Sequence, residues 1–185
     1  MKIILGFVGQ MASGKGTAVK YLKEKYGANT YRFSTALSDI LNRLYLPNNR
    51  ENLQKLSLVL RENFTGDILS VVIAEDVKKD PNNIIAVDGV RRPDDVIHLK
   101  NLEGFKLVHI FADIDKRYER IIKRSEKVDD QQKTFEQFKQ DHLGEAELQI
   151  EEIATDAKEK IDNNGTLEKL YRQLDELIAK VTSNQ

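Results

Sequence analysis

The chain has 185 residues, with 29 Lys and Arg against 30 Asp and Glu for a net charge of -1. That length supports one domain with a proper core and is too short for two comfortable ones, and the near-neutral balance lacks the basic footprint of a protein that binds long nucleic acid. The absence of cysteine excludes a disulfide framework, a cysteine metal site and a thiol nucleophile, so a cytoplasmic home and small anionic ligands are expected.

The chain opens on "MKIILGFVG", an apolar run of strand length. It is too short to span a membrane and leads straight into the next motif, so it reads as a buried strand rather than a signal peptide or an anchor. Next comes "GQMASGKGT", residues Gly9, Gln10, Met11, Ala12, Ser13, Gly14, Lys15, Gly16 and Thr17. After it, "TAVKYLKEKYG" has helical spacing, with Ala18, Val19, Leu22 and Tyr26 on one face and Gly27 as the stop. A glycine-rich turn from strand to helix can curl its N–H groups around an anion, with the helix terminus adding partial positive charge and Lys15 a full one. The pattern is G-x-x-x-x-G-K, and the hydroxyl of Thr17 comes one residue later than in the strict phosphate-loop rule. The bland alternative is a flexible connector with an exposed lysine.

Four further strands are predicted: Thr30 to Phe33, Ile84 to Gly89, Lys106 to Ala112 and the weaker Lys158 to Asn163. Helical patterns separate them, which implies a doubly wound α/β fold, a five-stranded parallel sheet in the order 2-3-1-4-5 with the phosphate loop after the central strand. Between the second and third strands, Leu53, Leu56, Leu60 and Phe64 form one helical stripe, and Ile68, Leu69, Val72, Ile73 and Val77 another. A polar stretch from about Lys123 to Glu152 has few apolar anchors, the composition of a mobile cover.

"VDGVRRPDD" follows the third strand. Asp88 closes the strand beside the phosphate loop, where a carboxylate can order the waters of Mg²⁺. Arg91 and Arg92 then offer forks suited to phosphate. The alternative is an ordinary turn with solvated arginines, Pro93 opening the next helix. Arg117, Arg120 and Arg124 share a helix face. They read either as a solvated face paired with Glu119 and Glu126 or as mobile cations for a migrating phosphoryl group. In "IDNNGTLEKL", Gly165 allows a tight bend and Thr166 caps a helix carrying Leu167, Leu170, Tyr171, Leu174 and Ile178. His98, His109 and His142 are isolated, so structural or surface roles are expected of them.

These motifs carry a family resemblance. The "GKGT" version of the loop resembles that of nucleoside monophosphate kinases such as adenylate kinase, and "VDGVRRPDD" resembles their "DGFPR" signature. The resemblance implies ATP and Mg²⁺ as cofactors, with Asp88 and Thr17 on the metal side. It also implies that Arg91, preferred over Arg92 although no proline precedes it, holds an acceptor phosphate. Arg120 would stack on adenine and Arg124 would reach the transferring phosphate, while Asn163 and Gly165 would edge the adenine pocket. "IDNNG" resembles the ending of dephospho-coenzyme A kinases, and also the "TNDGSLEEL" type of ending in phage deoxynucleoside monophosphate kinases. "RFSTALSDIL" and "RENLQKLSLVLRENF" look most like that deoxynucleotide branch, which implies an acceptor-binding insertion over about residues 34–80 with Ser34, Asp39 and Arg61 as base contacts.

The expected activity is therefore phosphoryl transfer from ATP to a nucleoside or deoxynucleoside monophosphate. A dephospho-coenzyme A kinase needs a carboxylate to deprotonate a ribose hydroxyl, and "RFSTA" after the second strand supplies none before Asp39. An ATPase or switch acting on a macromolecule is the reading from another class. Such motors commonly place a Glu after the strand-end Asp, where this chain has Asp88-Gly89.

Overall fold

The computed structural model describes residues 2–123, 134–141 and 145–183. The elements run β1 (Ile3–Val8), α1 (Lys15–Tyr26), β2 (Asn29–Arg32), α2 (Phe33–Arg43), α3 (Arg50–Asn63), α4 (Ile68–Lys79), β3 (Ile84–Val90), α5 (Pro93–Val96), a 3₁₀ turn at Leu99–Asn101, β4 (Phe105–Phe111), α6 (Ile114–Lys123), α7 (Phe135–Asp141), α8 (Glu145–Thr155), β5 (Glu159–Asp162) and α9 (Leu167–Ser183). The strands form a parallel sheet in the order β2-β3-β1-β4-β5, as the alternating pattern predicts. Among the described residues no helix is long and apolar enough to cross a membrane.

All six residues of β1 are buried, because the strand is central and both faces of the sheet are covered. On one face Ile4, Val8, Ile85, Val87 and Leu107 pack against α2, α4 and α8 through Leu37, Leu69, Ile73 and Ile153. On the other, Leu5, Phe7, Val108 and Ile110 meet α1 and α9 through Leu22, Leu170 and Leu174. Helix α1 stops at Gly27 as its sequence predicts, with the Gly27 and Ala28 N–H groups bonded to the Lys23 and Leu22 carbonyls.

Three local expectations shift. Phe33 opens α2 instead of closing β2 and is buried in the core, since one turn of helix carries an apolar residue at that position back onto the sheet. Phe64 is 69% exposed because α3 ends at Asn63 and the backbone leaves helical geometry at Phe64. Leu167 is 54% exposed: it lies in the first turn of α9, before the buried stripe of Leu170, Leu174 and Ile178 begins. Leu174→Ala is expected to cost about 2–5 kcal/mol by cavity formation, and Leu167→Ala less than about 0.5 kcal/mol. The midpoints of urea unfolding measure both.

Candidate functional site

Parallel strands put the loop after β1 at the carboxyl rim of the sheet, beside the ends of β3 and β4. The chain turns there through Gly14, which has φ 107 and precedes the first residue of α1. A Cβ at Gly14 would lie 2.1 Å from Asn163 Nδ2, so both conformation and space require glycine. No acidic side chain lies in the first turn of α1, and no side chain caps it. The positive end of its dipole is therefore left to favour an anion. Lys15 Nζ is folded back, donating to the carbonyls of Gly9 and, at 3.1 Å, Gln10. Ser13 is fully buried, and its hydroxyl has no hydrogen-bond partner among the described residues. Thr17 is half-buried in the first turn, while Gly16 is exposed.

Asp88 lies two residues before the end of β3, at this rim. The β1–β3 ladder runs Phe7 to Asp88 and then Val8 to Val90, skipping Gly89, whose φ is 89. This bulge ends the regular ladder directly after Asp88. Opposite Asp88 on the other side is Arg32, the last residue of β2, and Arg32 Nε meets Asp88 Oδ2 at 2.9 Å. Arg32 Nη2 lies 3.7 Å from the place a Cβ on Gly16 would take. A guanidinium thus stands between the strand-end carboxylate and the phosphate loop.

Arg91 and Arg92 follow β3 and are exposed; neither guanidinium has a hydrogen-bond or ion-pair partner among the described residues. Their backbone, by contrast, is fixed. Both N–H groups donate to Asp95 Oδ2, at 2.9 and 3.0 Å. The other oxygen of Asp95 meets Arg61 Nη2 at 2.8 Å, with the Asp95 side chain 4% and that of Arg61 10% exposed. Arg61 also donates to the Gly66 carbonyl. Its guanidinium is therefore committed to the protein's own groups. Pro93 opens α5 as expected. Ser34 and Asp39 are exposed on α2.

On the far side of the loop, Arg120 reaches from α6 to the carbonyls of Ala12 and Asn163, at 3.5 and 2.6 Å. Asn163 is buried and donates through Nδ2 to the Ser13 carbonyl at 2.7 Å. Arg117 is buried and donates to the carbonyls of Ala112 and Met11. So α6 and the segment after β5 are laced to the loop from Met11 to Ser13. The bend itself is built by Asp162 and Asn164: Asn164 N–H donates to Asp162 Oδ1, and Asn164 Oδ1 accepts from Asp113. Gly165 has no positive φ there, and Thr166 caps α9 through Lys169 N–H. Arg124 and His142 lie outside the described residues. Within the described part of the expected cover, Phe138 and Ile150 are buried, and Glu151 accepts from Gln10 Nε2 at 2.8 Å.

The residues present fit a triphosphate nucleotide: a glycine turn, a helix N-terminus without an acidic or capping side chain, a lysine, and a buried serine hydroxyl that lacks a partner among the described residues. Among the described residues no group of three or more His, Cys, Asp or Glu could hold a metal alone. Asp88 and Thr17 thus suit a cation such as Mg²⁺, which takes the rest of its ligands from phosphate and water.

A family model described as an AAA domain matches residues 8–139. The chain belongs to this AAA-domain family. Across its whole length this AAA-domain protein is similar to UPF0200 proteins: 28% identical over 184 residues to one from Pyrococcus abyssi, covering 97% of each chain, and 28% over 188 residues to one from Saccharolobus islandicus, covering 100% and 96%. Its fold matches a shikimate kinase from Bacteroides thetaiotaomicron with a TM-score of 0.64 at 13% identity over 97% and 98% of the two chains. A gluconokinase from Sinorhizobium meliloti matches with a TM-score of 0.57 at 14% identity over 99% and 94%. The fold is therefore that of P-loop kinases. The narrower likeness to nucleoside monophosphate kinases rests on the motifs alone.

Removing Arg61 leaves a buried carboxylate without its counter-ion. Arg61→Ala is expected to cost about 3 kcal/mol and to speed hydrogen exchange at the Arg91 and Arg92 amides. A second expectation concerns half-buried His109 on β4, whose imidazole is held below its ordinary value by desolvation and, secondarily, by the charges of Lys160 and Lys15. Its contribution is fully present above the unfolded value of about 6.5 and is lost as pH falls from there through the lowered folded value. Unfolding midpoints measured against pH should fall across that window, and His109→Gln should flatten the fall.

Proposed function

We propose that the protein transfers a phosphoryl group from ATP to a nucleoside or deoxynucleoside monophosphate, giving the diphosphate. The observation that carries this reading is the pinned pair Arg91 and Arg92. A buried ion pair, Asp95 with Arg61, fixes the backbone of two arginines whose guanidinium groups are exposed and unpartnered among the described residues. Fixing a backbone so firmly beneath free forks suits bidentate capture of a phosphate. Arg61 then acts through Asp95 and not as a base contact.

On this reading the loop from Gly9 to Thr17 holds the donor phosphates, and Lys15 leaves the Gly9 and Gln10 carbonyls for them. Asn163, Arg120 and Gly165 border the donor's base, and Ser34 and Asp39 on α2 face the acceptor within an insertion of about residues 34–80. Arg124 and the cover of about residues 123–152 close over both. Mg²⁺, when bound beside Asp88 and Thr17, neutralises charge on the donor phosphates. An acceptor oxygen bonds to the γ-phosphorus as the bond to the β–γ bridging oxygen breaks, and ADP leaves. A phosphate monoester is ionised near neutral pH, its second pKa being about 6, and needs no base. The end of β2 fits that requirement: it presents Arg32, a cation, where an enzyme that phosphorylates alcohols would need a carboxylate.

A panel of acceptors with ATP and Mg²⁺, read by ADP formation, tests the assignment. At least one nucleoside or deoxynucleoside monophosphate is expected to turn over. Lys15→Ala should lose two or more decades of rate, on the scale of about 3 kcal/mol for one electrostatic partner. Arg91→Ala should raise the monophosphate KM by about tenfold or more and leave the KM for ATP nearly unchanged. Turnover of dephospho-coenzyme A alone would overturn the acceptor assignment. ADP release independent of any small acceptor would favour the ATPase reading.

A further inference from the structure

Arg32 opens the "RFSTA" stretch, which assigns it no role, and it makes an ion pair in the mouth of the loop. Its Nε meets Asp88 Oδ2 at 2.9 Å, and the carboxylate is well shielded, 12% exposed, while the guanidinium is half open to solvent at 53%. Its Nη2 lies beside Gly16, the residue between Lys15 and Thr17 at the start of α1. The positive end of a helix is a poor place for a cation. Arg32 is stable there because Asp88 supplies the counter-charge, and that carboxylate is the acidic group a metal beside Thr17 would use.

We infer that Arg32 is a positioning residue that occupies Asp88 in the nucleotide-free protein and yields it to a divalent cation only when phosphates fill the loop. Two effects act in the same direction. The ion pair makes the carboxylate a weaker metal ligand, and the guanidinium's own charge repels a second cation a few ångströms away. With no group of three or more acidic or histidine ligands to offset this among the described residues, metal alone binds weakly. Bound phosphates reverse both effects: they supply ligands to the metal and a new anion for the half-exposed guanidinium. Metal entry is thereby made conditional on nucleotide. The backbone need not move, since Arg32 can leave Asp88 by side-chain rotation at the exposed edge strand β2.

The inference rests on the loop being a nucleotide site, and it is tested by a measurement that needs no turnover. Free Mn²⁺ is followed by electron paramagnetic resonance as it is titrated with wild-type protein, Arg32→Gln, Arg32→Lys and the double variant Arg32→Gln/Asp88→Asn. Each titration is made with and without a non-hydrolysable ATP analogue. Without nucleotide, Arg32→Gln should bind Mn²⁺ about tenfold more tightly than wild type. Arg32→Lys should fall between the two, because it keeps the charge and loses the fork, and the double variant should lose the gain. With the analogue bound, wild type and Arg32→Gln should agree within about twofold. Equal Mn²⁺ affinities without nucleotide would overturn the inference. So would a gain that survives Asp88→Asn, or a tenfold difference that persists with the analogue bound. If the analogue does not bind at all, the kinase reading fails, and the nucleotide-free titrations still decide whether Arg32 masks Asp88.

Discussion

The parallel pairing of β1 between β3 and β4 is the constraint on which the rest of this molecule depends. A strand buried on both faces has no polar edge of its own, so the chain can turn only where it emerges at the carboxyl rim. Its neighbours run parallel to it and end at the same rim. Three chemically different groups are thus delivered to one place by geometry alone: the N-terminus of α1, the carboxylate of Asp88, and the segment of α6 that carries Arg117 and Arg120. Once the sheet order is fixed, β2 adds a fourth, since Arg32, the residue that ends it, pairs with Asp88 near the end of β3. The site is a consequence of strand direction more than of any single motif.

Side chains then hold the rim rigid with bonds to backbone. Asn163 donates to the Ser13 carbonyl, Arg120 bridges the carbonyls of Ala12 and Asn163, and Arg117 reaches those of Ala112 and Met11. Each of these carbonyls lies in a turn that makes no ladder, where a buried acceptor without a partner would cost about 1–3 kcal/mol. Asp95 does the same for donors, taking the N–H groups of Arg91 and Arg92. Buried charge is expensive unless paired, and Arg61 supplies the pair. Arginines that look alike in the sequence therefore divide into two kinds. Arg61, Arg117 and Arg120 bond to the protein's own backbone and carboxylates, whereas Arg91 and Arg92 extend into solvent from a fixed base.

That division was not legible in the sequence, and the reason is physical. The strands expected at Ile84 to Gly89 and Lys106 to Ala112 announce themselves by near-continuous apolar runs, and the phosphate loop by glycines that a local turn demands. Helix ends at Gly27 and Thr166 are equally local. Each of those signals lies within a few residues of its consequence. The partner of Arg61 is 34 residues away and that of Asn163 is 150 away, and no spacing rule connects such positions. Arg32 is the intermediate case. Its neighbourhood, "RFSTA", is informative only for the acid it lacks, and the order 2-3-1-4-5 implies no more than that the end of β2 adjoins β3; the pair with Asp88 needs the register, which the shift of Phe33 into α2 sets. The exposed Leu167 is the converse, a residue on the right periodicity whose helix has not yet reached its neighbour.

The net charge of -1 conceals how cations are distributed. Lys15, Arg32, Arg91, Arg92 and Arg120 all belong to segments at the carboxyl rim, and the positive end of α1 joins them. Walls of low dielectric strengthen the attraction of such a cluster for a small anion, while the rim acids Asp88 and Asp95 are each paired with an arginine and other acidic groups lie on outer helices in exposed pairs such as Lys20 with Glu24 and Arg172 with Glu176, each worth little. A long polyanion would meet a nearly neutral surface, and a compact one would find the rim. Arg32 is neutralised by Asp88, so the surplus positive charge of the rim rests on Lys15, the exposed Arg91 and Arg92, and the positive end of α1. Two phosphate-bearing molecules brought together there would have their mutual repulsion offset by these cations, and that is the electrostatic problem any transfer between them has to solve.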